Sequence, residues 1–452
     1  MAGEVARNTV DVQALINARA VGPYQWLVFA LCFLIVLLDG FDTAAIGYIA
    51  PSLMGDWGIA KGDLAPVLSA ALMGMAVGAL LIGPLSDRFG RKRLLLTAVA
   101  VMGMACLGSA FSTDIQMLTW LRFVTGLGLG AAMPNAVTLV SEYAPTSRRA
   151  LLTTAMFCGF PLGLSMGGFL AAWMIPAFGW RSVLALGGVA PLVLLLLLVV
   201  VLPESIRYMV VSQWAPERIR RVLVRMLGND AAVHGERYVL PEGDVSAQEG
   251  RGRQGLAVVF APRYRLGTIM LYLTYFMGLV VVYALMNWMP VLFREAGIDA
   301  ATAARIAALF PLGGIGALFF GWLMDRYEAN KVIAFGYLGT AVSIWLIGQS
   351  VGHVGWLVLL VFLAGIMINT AQASMPALGA MFYPTEGRAT GVAWMLGIGR
   401  FGGVAGSFLV GALTARQLDL STIFSVVAIP GLIAALALYV KAWCTAWQSK
   451  AG

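Results

Sequence analysis

The sequence predicts an all-α integral membrane protein of twelve transmembrane helices arranged as two pseudo-symmetric six-helix bundles. Of the 452 residues, 60% are hydrophobic and 12% are charged, whereas soluble domains carry about 25% charged residues. Long apolar runs recur along the chain, and runs of about 20 residues cross a bilayer as helices, since lipid requires backbone groups to be satisfied internally. Motifs of the first half return in the second, which indicates a duplicated unit.

The apolar runs divide into two sets of six, separated by a polar segment. We place the twelve spans at approximately 24–53, 64–85, 94–112, 115–140, 151–175, 183–202, 265–293, 301–324, 331–350, 354–382, 389–413 and 421–442. The expected organisation is a first bundle over 1–202, a cytoplasmic linker over 203–264 and a second bundle over 265–452. The polar N-terminus lacks the short apolar core and cleavage site of a signal peptide.

The distribution of Lys and Arg predicts the orientation. Most of them lie in the N-terminus, the central segment and the loops on the same side, and the opposite loops hold Lys61, Arg181, Arg294, Arg305 and Arg416. Cytoplasmic loops carry the excess of positive charge, so we expect both termini in the cytoplasm. The formal charge of +8 suits contact with anionic membrane lipid and gives no reason to expect nucleic acid.

The sequence suggests neither a metal site nor an enzyme active site. Cysteines are scattered without a CxxC pair, at Cys32, Cys106, Cys158 and Cys444. We interpret them as unpaired structural thiols. The two histidines, His234 and His353, lie far apart in loops, and no nucleophile and base are suitably spaced. We expect no cofactor.

An internal repeat relates the two halves. GPLSDRFGRKRLLL begins at Gly83, and GWLMDRYEANKVIA begins at Gly321. Gly126 and Gly365 are separated by one residue more than that pair. A six-helix unit duplicated in parallel is typical of transporters whose halves rock about a central site at the bilayer midplane.

The motifs also carry a family resemblance. GPLSDRFGRKR after the second span, LRFVTGLGLGAAMPN in the fourth and PESIRYMVV after the sixth resemble signatures of the major facilitator superfamily. DGFD in the first span, NWMP in the seventh and MLGIGRFGG in the eleventh are similar to the aromatic acid:proton symporter family. The resemblance implies a bacterial inner-membrane protein, functional as a monomer, that takes up small aromatic carboxylates such as 4-hydroxybenzoate and protocatechuate together with H⁺.

Two carboxylates in the first span are the proton-coupling candidates. Asp39 and Asp42 lie about 22 to 27 Å from the inner end of the span by helical rise, and their repeat positions hold Gly278 and Val281. Arg122 in the fourth span reaches a similar depth, so we predict a charge pair between the first and fourth spans. A purely structural salt bridge is the alternative.

Arg400, in the eleventh span, is the candidate ligand for the substrate carboxylate, because a guanidinium matches a carboxylate with two parallel hydrogen bonds. Its alternative role is a partner near the tenth span. The full set of substrate-binding candidates is Arg122, Arg400, Asn287, Trp288, Tyr283, Asn369, Gln372 and Trp394. Amides within hydrocarbon need partners, whereas a single aromatic ring is more often a packing residue.

A third set of residues surrounds the cytoplasmic ends of the spans. These gating candidates are Gly83, Asp87, Arg88, Gly90, Arg91, Glu142, Arg149, Asp325, Arg326, Glu386 and Arg388. We expect them to hold the cytoplasmic side shut, with simple positive-inside anchoring as the alternative. The second copy of the loop has Glu328 and Asn330 in place of Gly90 and Lys92, so its contacts are expected to be weaker.

Several functions stay open at this stage. The substrate could be benzoate, gentisate or a sugar acid, and the protein could export its substrate or act as a chemoreceptor. The sequence does not rank the aromatic acids, and it does not say which aspartate carries the proton.

Overall fold

The computed structural model describes residues 9–227, 237–239, 259–316, 323, 326–350, 352–383 and 385–451. The helices of the first half and of the segment that follows are α1 (Val12–Asn17), α2 (Pro23–Trp57), α3 (Lys61–Phe89), α4 (Arg91–Ala110), α5 (Ile115–Tyr143), α6 (Arg149–Phe157), α7 (Gly159–Phe178), α8 (Arg181–Val201), α9 (Ile206–Val211) and α10 (Pro216–Leu227). Those of the second half are α11 (Pro262–Glu295), α12 (Ala300–Leu312), α13 (Ala329–Gln349), α14 (Val354–Phe382), α15 (Thr385–Ala415) and α16 (Leu420–Ala451). Two short strands, β1 (Thr9–Asp11) and β2 (Arg237–Val239), complete the described elements.

The helices form the predicted membrane fold. Among the described residues, eleven helices are long and apolar enough to cross a membrane. The predicted eighth span is represented by α12, a shorter apolar helix, and by a 3₁₀ turn over Gly313–Gly316. The rest of that span lies outside the described residues.

Local sequence explains where several helices begin and end. Pro23 stands in the first turn of α2, where its missing N–H removes no helical hydrogen bond. Asp114 caps α5 by accepting a hydrogen bond from the Met117 N–H at 2.8 Å. Gly58 ends α2 in the left-handed region, at φ 64°, which glycine adopts without steric cost. These signals set the lengths of the two helices that carry the buried charges.

The predicted fifth span is two helices, α6 and α7, that meet at Cys158. Pro161 follows in the first turn of α7. Proline cannot donate to the carbonyl four residues earlier, and its ring crowds that carbonyl. The interruption is therefore a consequence of Pro161, which the apolar run alone did not reveal.

The predicted linker is in part an extension of the first half. Buried side chains of α9 and α10, such as Ile206 and Leu223, pack in the same cluster as Val12 and Val28. Strand β2 pairs in parallel with β1, with Val10 opposite Tyr238. The segment that follows the first bundle is thus attached, through β2, to the N-terminal segment that precedes it.

Helix packing shows the duplication directly. A Cβ placed on Gly126 would overlap the carbonyl oxygen of Ala71, where α5 crosses α3. A Cβ placed on Gly365 would overlap the carbonyl oxygen of Phe310, where α14 crosses α12. Ala71 and Phe310 are separated in sequence by the same interval as the two glycines. The same close crossing is therefore built twice, once in each half.

The two halves meet toward the ends of the helices that are predicted to face outside. Lys61 at the start of α3 forms an ion pair with Glu295 at the end of α11, at 2.7 Å. A Cβ on Gly62 would lie 3.8 Å from the Cβ of Ala415, at the end of α15. These contacts hold the outer ends of the halves together.

Candidate functional site

Asp42 and Arg122 form a buried ion pair within the first half. The Nη2 and Nη1 atoms of Arg122 donate to Oδ1 and Oδ2 of Asp42 at 3.0 and 3.2 Å, and both side chains are essentially inaccessible to solvent. The predicted charge pair between the first and fourth spans is therefore present. Its geometry is the two-bond arrangement in which Arg and carboxylate interact most strongly.

Asp42 also accepts a hydrogen bond from a thiol. The Sγ of Cys106, on α4, donates to Oδ1 of Asp42 at 2.9 Å. Helix α8 closes the site from the other side, since a Cβ on Gly187 would lie 3.6 Å from the same oxygen. Asp42 is thus enclosed by helices of the first half, with its negative charge balanced by Arg122.

Asp39 has a different environment, although it lies one turn away on the same helix. Its side chain is fully buried, and Oδ1 accepts one long hydrogen bond from the hydroxyl of Thr43, at 3.3 Å. Within the described part of the chain, Oδ2 has no hydrogen-bond partner. Asp39 is therefore a buried carboxyl group with far fewer stabilising contacts than Asp42.

Arg400 reaches from the second half to the first. It lies near the middle of α15, and its Nη1 donates to the carbonyl oxygen of Met75 on α3 at 3.0 Å. Tyr275 and Tyr283 pack against the same helix beside it, since a Cβ on Gly399 or Gly403 would overlap their rings. A cation with aromatic neighbours therefore stands between the halves, near the buried acid.

Asn287 and Trp288 connect helices. The amide of Asn287 donates to the Ser407 hydroxyl at 2.8 Å and lies 3.5 Å from the carbonyl oxygen of Leu68. The indole N–H of Trp288 donates to the Ser407 carbonyl at 3.0 Å. Both side chains are buried. These hydrogen bonds hold α11 against α15 and α3, so the structure places the two residues in packing contacts.

Asn369 and Gln372 use their amides differently. Asn369 donates to the carbonyl oxygens of Phe310 and Gly365, both at 2.9 Å, at the close crossing of α12 and α14. Gln372 donates to the Tyr275 carbonyl at 3.2 Å and accepts from the hydroxyl of Tyr337 at 2.6 Å. Gln372 is therefore the amide that belongs to the surroundings of Tyr275 and Arg400.

Trp394 does not join the other candidates. Its side chain is 45% exposed, and its ring meets the edge of Phe260, just before α11, at 6.5 Å between centroids. Its predicted role in substrate binding stays a prediction. Tyr283, by contrast, is partly buried beside Leu72 and Met75 of α3, on the same side as Arg400.

Three of the gating candidates, Gly90, Arg91 and Glu142, lie in one cluster within the first half. Arg91 pairs with Glu142 and donates to the Ser205 hydroxyl at 2.8 Å, and that hydroxyl in turn donates to Glu142. Gly90 has a φ of 87°, and a Cβ placed on it would lie 2.7 Å from the Glu204 carboxylate. These contacts join α4, α5 and the segment after α8. They brace one half and do not cross to the other.

The remaining gating candidates separate into two groups. Arg149 donates to the side chain of Gln13 at 3.2 Å, so it joins the N-terminal segment and not Glu142. Arg326 is exposed. Outside the described residues or side chains lie Gly83, Asp87, Arg88, Asp325, Glu386 and Arg388.

Several partners of the site were not among the sequence candidates. Cys106 was interpreted as an inert thiol, and Thr43, Ser407 and Tyr337 were not singled out. Thr43 stands one helical turn after Asp39, a spacing at which a hydroxyl can reach a carboxylate. For Cys106 the sequence holds no such signal, because its contact depends on how α4 packs against α2.

A duplicated six-helix unit with charges buried among its helices is the architecture of a membrane transport protein. The model of the Major Facilitator Superfamily matches residues 32–317 and 266–446, and the chain belongs to this superfamily. It is 51% identical over 433 residues to the 4-hydroxybenzoate transporter PcaK of Pseudomonas aeruginosa, with 96% of each chain covered. It is 46% identical to the gallate transporter of Pseudomonas putida over 95% of this chain and 94% of that one.

The fold is also that of solved transporters. The inward-open structure of the xylose transporter XylE from E. coli superposes with a TM-score of 0.71 at 19% identity, over 92% of this chain and 95% of that chain. The protein is therefore a transporter and not an enzyme.

Proposed function

We propose that the protein takes up aromatic carboxylates such as 4-hydroxybenzoate and protocatechuate in symport with protons, by alternating access. Asp39 carries the proposal: it is a fully buried carboxyl group, and one of its oxygens has no hydrogen-bond partner among the described residues. It lies within electrostatic range of Arg400, which reaches from the second half to Met75 of the first. The names of the relatives from Pseudomonas support the substrate class.

Arg400 is the proposed ligand for the substrate carboxylate. A guanidinium offers five N–H donors, and among described partners Arg400 donates one hydrogen bond, to Met75. Tyr275 and Tyr283 supply ring faces and hydroxyl groups near the same cation. A site for an aromatic carboxylate needs a guanidinium or similar cation for the carboxylate and a flat apolar surface for the ring.

Asp39, and not Asp42, is the proposed proton carrier. Asp42 is already neutralised by Arg122, so removing its charge would leave a buried guanidinium without its partner. Asp39 has no comparable partner and lies beside the substrate cation. Its protonation would release Arg400 to bind the substrate, and loss of the proton would favour substrate release.

The direction of transport follows from the orientation proposed for the chain. We place both termini in the cytoplasm of a bacterial cell, with the protein in the inner membrane and functional as a monomer. The contacts of Lys61 with Glu295 and of Gly62 with Ala415 then close the periplasmic side. This arrangement is that of an inward-facing transporter at the stage of substrate release.

Transport in proteoliposomes tests the proposal. We expect radiolabelled 4-hydroxybenzoate to accumulate when the lumen is made alkaline, and we expect a protonophore to abolish the accumulation. Asp39→Asn should lose accumulation but retain exchange of labelled for unlabelled substrate, because exchange needs no net proton movement. The matched control is Asp63→Asn, which removes an exposed carboxylate at the start of α3 and should behave like the unaltered protein.

Two results would contradict this assignment. Accumulation that ignores the pH gradient would exclude proton symport, and full accumulation by Asp39→Asn would remove Asp39 from coupling. Competition with unlabelled protocatechuate, gallate, benzoate, gentisate and a sugar acid ranks the substrates. Selective competition by the sugar acid would overturn the aromatic assignment.

A further inference from the structure

A basic cavity lies outside the proposed transport site, at the predicted cytoplasmic end of the first half. Its volume is about 480 Å³, within the range of about 300 to 1,000 Å³ that small-molecule sites occupy. It opens between α10, the start of α4 and the end of α8. The cations that line it are Lys92, Arg93, Arg218, Arg221 and Arg225.

Helix α10 is built to present this charge. Arg218, Arg221 and Arg225 follow the three- and four-residue spacing of one helical face, and all three line the cavity. The opposite face buries Ile219 and Leu223 and holds the helix to the first half. The position of the basic face is therefore fixed by the apolar anchoring of the same helix.

The positive charge of the cavity is not neutralised by acidic side chains. Within the described part of the chain, none of the five lining cations forms an ion pair. The carboxylate in the lining, Glu204, already accepts the backbone N–H groups of Lys92 and Ser205, both at 2.9 Å. Five cations therefore face one carboxylate in the lining, and this excess of positive charge favours an anion.

Aromatic and backbone groups fix some of these cations in place. The Nζ of Lys92 donates to the carbonyl oxygen of Val199 at 3.0 Å, and Arg218 lies over the ring of Trp214 at 5.6 Å. Arg93 and Arg221 are exposed and free to close on a ligand. The cavity therefore combines oriented cations with adjustable ones.

The neighbouring surface indicates what kind of anion enters. Val200 lines the cavity and is 78% exposed, and Leu196, one turn earlier on α8, is 71% exposed. Helix α8 crosses the membrane, so these side chains face acyl chains. The basic cavity is thus continuous with a lipid-facing apolar surface, at the leaflet where anionic headgroups meet basic side chains.

We propose that this cavity binds the phosphodiester headgroup of an anionic phospholipid of the cytoplasmic leaflet, such as phosphatidylglycerol. The guanidinium groups of Arg221 and Arg225 hydrogen-bond to the phosphate oxygens, and the acyl chains lie along Leu196 and Val200 of α8. A free phosphate ion shares the headgroup chemistry but makes no use of the apolar surface.

Native mass spectrometry of the full-length protein in detergent tests this proposal. The protein is titrated with phosphatidylglycerol, phosphatidylethanolamine or inorganic phosphate. We expect phosphatidylglycerol to bind at least about tenfold more tightly than phosphatidylethanolamine, and inorganic phosphate at millimolar concentration not to displace it. Arg221→Gln should weaken phosphatidylglycerol binding about fivefold, in keeping with the loss of one charge-assisted hydrogen bond at an exposed position.

Arg220→Gln is the matched control. Arg220 is exposed on the same helix, next to Arg221, but it does not line the cavity. The variant should bind phosphatidylglycerol like the unaltered protein. Equal weakening by the two variants would overturn the site, because it would indicate general attraction to a positive surface. Displacement by inorganic phosphate, or equal binding of the two lipids, would overturn the lipid assignment.

Discussion

Arg122 donates two hydrogen bonds to the carboxylate of Asp42, at 3.0 and 3.2 Å, inside the first half of the protein. Removing one member of a buried ion pair costs about 3 to 5 kcal/mol, because the remaining charge is left uncompensated. We therefore expect Arg122→Gln to lower the thermal unfolding temperature of the detergent-solubilised protein markedly, as measured by tryptophan fluorescence.

The double variant Arg122→Gln with Asp42→Asn is the control for that prediction. It removes both charges at once, so it should recover much of the stability lost in the single variant. If the double variant were less stable than Arg122→Gln alone, the cost would come from packing and not from an unpaired charge.

Close helix crossings predict a second effect on stability. Gly126→Ala and Gly365→Ala each place a Cβ against a backbone oxygen that has no freedom to move away, and overpacking of this kind costs roughly 1 to 3 kcal/mol. Both variants should unfold at lower temperature. Because the two crossings are equivalent, the two losses should be similar.

Gly55→Ala serves as the comparison. Gly55 is in α2, and no atom of the described residues lies within 4 Å of the position of its Cβ. Alanine should be neutral there or stabilising by about 0.5 to 1 kcal/mol, because glycine weakens a helix. A loss like that of Gly126→Ala would mean that the glycines matter for a reason other than close approach.

Arg400→Lys should separate charge from geometry in substrate binding. Lysine keeps the positive charge but cannot form two parallel hydrogen bonds with a carboxylate. We expect the KM for 4-hydroxybenzoate to rise about tenfold, equivalent to about 1.4 kcal/mol, with a smaller change in maximal rate. The measurement is initial uptake in proteoliposomes, and an unchanged KM would mean that Arg400 does not bind the carboxylate.

A disulfide should report the closed outer side. The Cβ of Ala415 lies 3.8 Å from the Cβ position of Gly62, and the two Cβ atoms of a disulfide are about 3.8 Å apart. The pair Gly62→Cys with Ala415→Cys should cross-link under mild oxidation and stop uptake, since α3 and α15 can no longer separate. A reductant should restore transport.

Each single cysteine variant is a control for the cross-link. Neither should lose uptake on oxidation. Cys158, which is exposed, and Cys444 should be replaced by serine in all of them, so that the introduced thiols are the ones that react. Uptake that continues in the fully cross-linked protein would show that the outer ends need not part during transport.

The fold was largely predictable from the sequence, because each membrane helix is a continuous apolar run that can be recognised without knowledge of its neighbours. Apolar runs located the spans, and the recurrence of Gly126 at Gly365 pointed to a duplication that the packing shows physically. The break at Cys158 was less visible. The sequence shows Pro161, but a proline can also be tolerated within a continuous transmembrane helix. Its presence alone therefore did not predict a break.

The sequence predicted which charged residues lie in the site, but it did not predict most of the contacts that they make. Asp42 and Arg122 could be paired from the sequence, because two opposite charges in hydrocarbon need each other. The different surroundings of Asp39 and Asp42 depend on which helices pack at each position, as does the thiol of Cys106. The contact of Trp394 with Phe260 could not be predicted for a similar reason, since it depends on how the segment before α11 packs against α15.

The pairing of β1 with β2 determines which part of the polar segment belongs to the first half. Helices α9 and α10 share a buried cluster with that half, and β2 adds a backbone attachment. These parts of the polar segment are therefore components of the first bundle. A substitution in them would act on the stability of that bundle and not only on the connection between the halves.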